Sequence, residues 1–268
     1  MSSLPWSAFK QHPAVVGWYA YDEPIANNIP PEIMKAVYHA IKTEDPERPV
    51  AVVFAGDRLS EVPKYINFLD IYMVDRYPLY YPKPEFNNLK DYWRWMQQAA
   101  YYAEDKLFWP VLQAFGEQQD GTPKYKRRLP TAAEERYMFY TAVLAGADGL
   151  IFYGHHWTLQ SWVDSVLTPL IEEFDNYVPA INSQPFSRKV LVNRFDVQAF
   201  LYKEPTSDRY LLIAVHHGRD KVKAVINLNL SVANNFAQVL DEDRQVKLLT
   251  GILQDYFNSY AVHIYAIH

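Results

Sequence analysis

The chain has 268 residues, a net charge of −5, 49% hydrophobic residues and no cysteine. That length sustains a large core in one or two domains, the lack of cysteine excludes disulfides and thiolate metal sites, and the modest negative charge argues against duplex nucleic acid as a partner. No apolar run approaches the roughly 18–20 residues of a membrane span, and the opening MSSLPWSAFKQHP shows neither a basic nor an apolar signal-peptide region, so the compartment is left open.

The first two thirds alternate short apolar runs with helical patterns. AVVGWYAY (14–21) reads as a strand, and PEIMKAVYHAIKTED (31–45) as a helix with Ile33, Met34, Val37 and Ile41 in one stripe. Strands follow at 50–56 and 68–75, a helix at 89–105 and a fourth strand at 107–116. Thr131 and Glu134 make a capping box for a helix over 132–147, and GLIFYGHHW (149–157) is a fifth strand. A last helix places Trp162, Val166, Leu170, Phe174, Tyr177 and Ile181 on one face.

Near-continuous apolar strands alternating with helices indicate a parallel sheet covered by helices. The nine glycines are scattered and no Gly-rich phosphate loop follows a strand, which leaves a dinucleotide-binding fold without support. The (β/α)8 type fits better, because polar and aromatic residues cluster where strands end. Asp22-Glu23, Asp75-Arg76-Tyr77, Gln113 with Glu117, and Tyr153 with His155-His156 all occupy such places. Aromatic residues make up 16% of the chain, which suits sugar stacking and equally suits the filling of a large core. The adjacent histidines of a strand point to opposite faces, so no metal site and no cofactor is expected. Near residue 185 the texture changes to period-two alternation broken by polar turns. We therefore expect a partial barrel over 1–184, a hinge at 184–187, and an antiparallel β-sandwich over 185–268.

HPAVVGWYAYDEP resembles the strand that carries the acid/base of retaining glycoside hydrolases in the large (β/α)8 superfamily, which show Asn-Glu-Pro or a variant at the end of their fourth strand. FLDIYMVDRYP, VLQAFG, RLPTAAEERYMFYTAVLAGADGLIFYG and LQDYFNSYAVHIYAI resemble later strands and the C-terminal β-domain of such proteins. The resemblance implies hydrolysis of a β-linked glycan with Glu23 as general acid/base, its proton favoured by apolar neighbours and by Asp22. It gives Asp22 a place against sugar hydroxyls, and it puts Gln113 where the family's nucleophilic glutamate stands. A glutamine cannot form a glycosyl ester, so Asp75 and Glu117 are the two options for the second carboxylate. Trp18, Tyr21, Tyr77, Tyr153, His155 and Trp157 are the expected sugar-lining residues, and Tyr80 and Tyr81 an aromatic loop or a rigid lid. A non-catalytic carbohydrate-binding relative, or a truncated barrel with an incomplete site, is the alternative.

Five strand–helix units precede the β-domain, whereas a closed barrel needs eight. The open sheet edge should then be covered by a second copy of this chain, by its own N-terminal segment or by a separate polypeptide.

Overall fold

The structure is a computed structural model, and it describes residues 9–79, 89–116, 127–154, 158–183, 188–230 and 235–268. The chain forms two compact units. The first comprises Met1–Tyr77, Arg94–Gln113 and Ala145–Tyr153, and the second Pro78–Trp93, Ala114–Leu144 and Gly154–His268. The anticipated hinge at 184–187 lies outside the described residues.

The first unit is a curled half-barrel of five parallel strands in the order β1-β2-β3-β4-β5. They are β1 (Trp18–Asp22), β2 (Val50–Ala55), β3 (Ile71–Asp75), β4 (Leu107–Gln113) and β5 (Ile151–Tyr153). Each is rich in β-branched and aromatic residues, and β2 and β3 are buried along nearly their whole length, as strands covered on both faces must be. Alternation then sorts the side chains. Ala51, Val53, Ile71, Met73 and Val111 form one cluster with Trp109, Ile151 and Tyr77. Their neighbours in sequence, Phe54, Tyr72 and Phe108, form a row of rings on the other face, with centroids 5.6 and 5.8 Å apart. Helix α1 (Pro31–Glu44) begins at a proline that needs no amide partner in the first turn; it lies against β1 and buries Met34 and Ile41.

Helix α2 (Leu89–Ala103) is followed by β4, and helix α3 (Ala132–Leu144) belongs to the second unit. The Thr131–Glu134 capping box forms as the sequence predicts. The Thr131 backbone N–H donates to Glu134 at 3.0 Å and the Glu134 N–H to Thr131 Oγ1 at 3.3 Å. From Glu135 to Leu144 only Arg136 escapes full burial, so the helix has no solvent stripe. It packs on two β-domain strands and on the helical stretch near residues 160–175. There Phe139 meets Phe174, and Arg136 grips Glu173 through two nitrogens at 2.8–3.0 Å. That stretch runs Gln160–Trp162, a π turn at Val163–Leu167, then Thr168–Asp175. The expected single helix is interrupted by the wider turn, which shifts its apolar face mid-way.

The β-domain is one antiparallel sheet of nine strands in the order β6-β8-β9-β14-β11-β12-β13-β10-β7. These are β6 (Arg188–Lys189), β7 (Leu191–Val192), β8 (Val197–Lys203), β9 (Tyr210–His216), β10 (Val222–Asn227), β11 (Phe236–Val239), β12 (Arg244–Leu249), β13 (Ile252–Phe257) and β14 (Val262–Ile267). The sheet folds over so that Leu212, Ala214 and Tyr265 from one half share a core with Ile226, Leu253 and Phe257 from the other, which makes it a sandwich. The strict alternation of β12 and β13 is that of strands with one dry face and one wet face. Among the described residues, no helix is long and apolar enough to cross a membrane.

Candidate active site

β3 ends at Asp75, which is in register with Ala55 on one side and Val111 on the other, on the same face as the Met73 and Val53 cluster. Its backbone is held by close contact with Gly56, whose N–H donates to the Asp75 carbonyl at 2.9 Å. The Gly56 carbonyl in turn accepts the Trp95 indole at 2.6 Å. A Cβ at Gly56 would stand 2.5 Å from the Trp95 ring and 2.8 Å from the Asp75 oxygen, so only glycine permits this packing. Arg76 lies over the Trp95 ring at 5.5 Å. Asp75 Oδ1 is buried without a hydrogen-bond partner among the described residues, while the Tyr77 hydroxyl donates to the carboxyl group. Tyr77 stacks on Tyr153 at the end of β5, with centroids 5.3 Å apart and planes 18° apart.

β1 reaches the same end of the sheet with an irregularity. Tyr19 pairs with Ala51, Tyr21 with Val52 and Asp22 with Val53, so one residue is extra between Tyr19 and Tyr21. The bulge puts Tyr19 and Asp22 on one face, and the Tyr19 hydroxyl donates to Asp22 Oδ1 at 2.8 Å. Glu23 follows with its N–H on the Val53 carbonyl at 3.0 Å and a left-handed backbone at φ 46°. A glutamate there is strained, and the turn that holds it is closed by Asn27. The Asn27 amide donates to the carbonyls of Asp22 and Glu23 at 2.9 and 3.1 Å. The Asp22 side chain is thereby spared the capping work and stays exposed.

These two strand ends share an electrostatic environment. Burial first, then the Glu23 charge, push the Asp75 carboxyl up to about 7, with Asp22 adding to the effect and the Tyr77 hydrogen bond opposing it. Burial, the bond to Asp22 and the charges of Asp22, Asp75 and Glu23 all push the Tyr19 phenol upward, so it remains a donor. Asp22, Glu23, Asp75, Tyr19 and Tyr77 therefore converge, and Tyr153 joins them through Tyr77.

Other expected residues lie elsewhere. Trp18 opens β1 at the end opposite Glu23, where its indole donates to Asp45 at 2.9 Å beside Arg48 at 3.0 Å. Tyr21 is in phase with Val52, whose neighbours face away from Asp75. Gln113 is on the site's face but fully buried. Glu117, Tyr80, Tyr81, His155 and Trp157 lie outside the described residues. Among the described residues no group of three or more His, Asp or Glu side chains is placed to hold a metal ion. Tyr19 is the residue that regular alternation hides, because without the bulge it would face away from Asp22.

A five-stranded parallel half-barrel with a β-sandwich after it is the fold of part of the TIM-barrel glycoside hydrolases. Three solved structures are similar at TM-scores of 0.58, 0.59 and 0.51. They are an Anoxybacillus α-amylase (11% identity), a β-L-arabinopyranosidase of Geobacillus stearothermophilus (14%) and a bifunctional glucanase–xylanase from a metagenome library (13%). The matches cover 94, 88 and 88% of this chain, and the chain spans 59, 54 and 59% of theirs. No family model and no curated protein sequence matches the chain.

Proposed function

We propose that this chain is a glycoside hydrolase-like module acting on a β-linked carbohydrate, with Glu23 as general acid/base and Asp75 as the second carboxyl. The proposal treats residues 1–184 as the barrel part and 185–268 as its β-domain. The observation that carries it is the electrostatic pairing of Glu23, which follows β1, with Asp75, which ends β3 on the far side of β2, where the carboxyl is held up at about 7. An acid/base pair needs one protonated and one ionised carboxyl before the glycosidic oxygen leaves, and the raised Asp75 value supplies a group that still carries its proton near neutrality. Asp22, Tyr77 and Tyr153 would line the sugar, the last with an exposed ring.

A non-catalytic carbohydrate-binding role is the second reading, favoured by the buried Gln113 at the end of β4. Hydrolysis of a panel of 4-nitrophenyl glycosides by wild type, Glu23→Gln and Asp75→Asn separates the two. Turnover by the wild type that falls in both variants supports the enzyme. Oligosaccharide binding without turnover in any of them supports the binding protein.

A further inference from the structure

The bulge in β1 is an irregularity that packing does not require. Tyr19 is 57% exposed, so its ring adds little to the core. A regular strand would set residues three apart on opposite faces, and the extra residue also interrupts the hydrogen-bond ladder. What the irregularity achieves is local. It lays the Tyr19 hydroxyl on Asp22 Oδ1 at 2.8 Å, beside Asp75 and Glu23. An exposed carboxylate at a strand end otherwise samples several rotamers, and a bond from a phenol to an ionised oxygen holds it in one. The remaining oxygen, Oδ2, is then fixed in direction and available to a sugar hydroxyl.

We propose that Tyr19 is a substrate-positioning residue that works through Asp22, holding its carboxylate in the orientation that receives a sugar hydroxyl. This rests on the carbohydrate reading of the Glu23–Asp75 site. Tyr19 itself need not touch the sugar; its hydroxyl, rather than its ring, carries the effect.

The test is a double-mutant cycle on Tyr19→Phe and Asp22→Asn, with cello- and xylo-oligosaccharides titrated by calorimetry and 4-nitrophenyl glycosides assayed for KM and kcat. Tyr19→Phe should weaken binding or raise KM by about tenfold, the size of one charge-assisted hydrogen bond, with an unchanged melting temperature. In the Asp22→Asn background the same change should have almost no further effect. Equal losses in both backgrounds, or wild-type affinity in Tyr19→Phe, overturn the proposal while leaving the site reading intact. A wild type that neither binds nor cleaves any of these sugars overturns the site reading, and the proposal with it.

Discussion

Asp75 and Glu23 are coupled acids: burial, and then the Glu23 charge, push the Asp75 carboxyl up to about 7. Replacing Glu23 with glutamine removes that charge but not the burial. The Asp75 value should therefore fall in Glu23→Gln while staying above the ordinary 3.8, read by carboxyl carbon NMR across a pH series. A value unmoved by the substitution would show that the two groups do not interact.

The same group links stability to pH. Its folded value lies above 3.8, so the folded state binds the proton more tightly and stability is lost as pH rises from about 4 to about 7. Asp75→Asn should remove that loss. The variant should gain at most about 4 kcal/mol over wild type at pH 8 and nothing at pH 3, in urea melts. Activity should disappear in the same variant, a site kept at a cost in stability.

Gly56 should resist substitution. A methyl group there meets the Trp95 ring at 2.5 Å and the Asp75 carbonyl at 2.8 Å, so one of them must move. Gly56→Ala is expected to cost about 1–3 kcal/mol, as overpacking does, and to shift Trp95 fluorescence and the Asp75 titration together. A stable variant with an unaltered Asp75 would remove Gly56 from the support of the site.

Glu135, in the second unit, offers a test that involves no sugar. It is fully buried, neither carboxyl oxygen has a hydrogen-bond partner among the described residues, and burial followed by the Glu134 charge raises its pKa well above 4.5. Stability should fall as pH climbs past 4.5, because the unfolded chain releases this proton first. Glu135→Gln should flatten that decline, seen as a larger advantage over wild type at pH 8 than at pH 4. An equal difference at both values would mean the carboxyl is ionised in the fold.

Much of this architecture was readable because it follows local chemistry. The proline that opens α1, the Thr131–Glu134 box and the apolar runs of β2, β3 and β4 each announce their element to within a few residues. Asp75 and the Asp22–Glu23 pair stand out in the sequence because they are charged residues that close apolar strands. Departures from period were not readable. Regular alternation groups Trp18 with Asp22, whereas the bulge replaces it with Tyr19, and Trp18 serves Asp45 instead. Trp18→Phe should accordingly lower the melting temperature through the loss of that hydrogen bond and leave sugar affinity as it was, by calorimetry. The buried Glu135 and the π turn at 163–167 likewise depend on tertiary packing, and no spacing in the chain foretells them.

The bulge also sets how β1 tolerates changes of length. Ala20 is the strand's one spare residue: removing it would make the strand regular and leave Tyr19 and Asp22 facing the same way. Adding a residue between them would instead demand a second extra residue in the bulge or carry Asp22 out of register with Val53. This short segment should thus forgive a deletion and resist an insertion, whereas surface loops accept both.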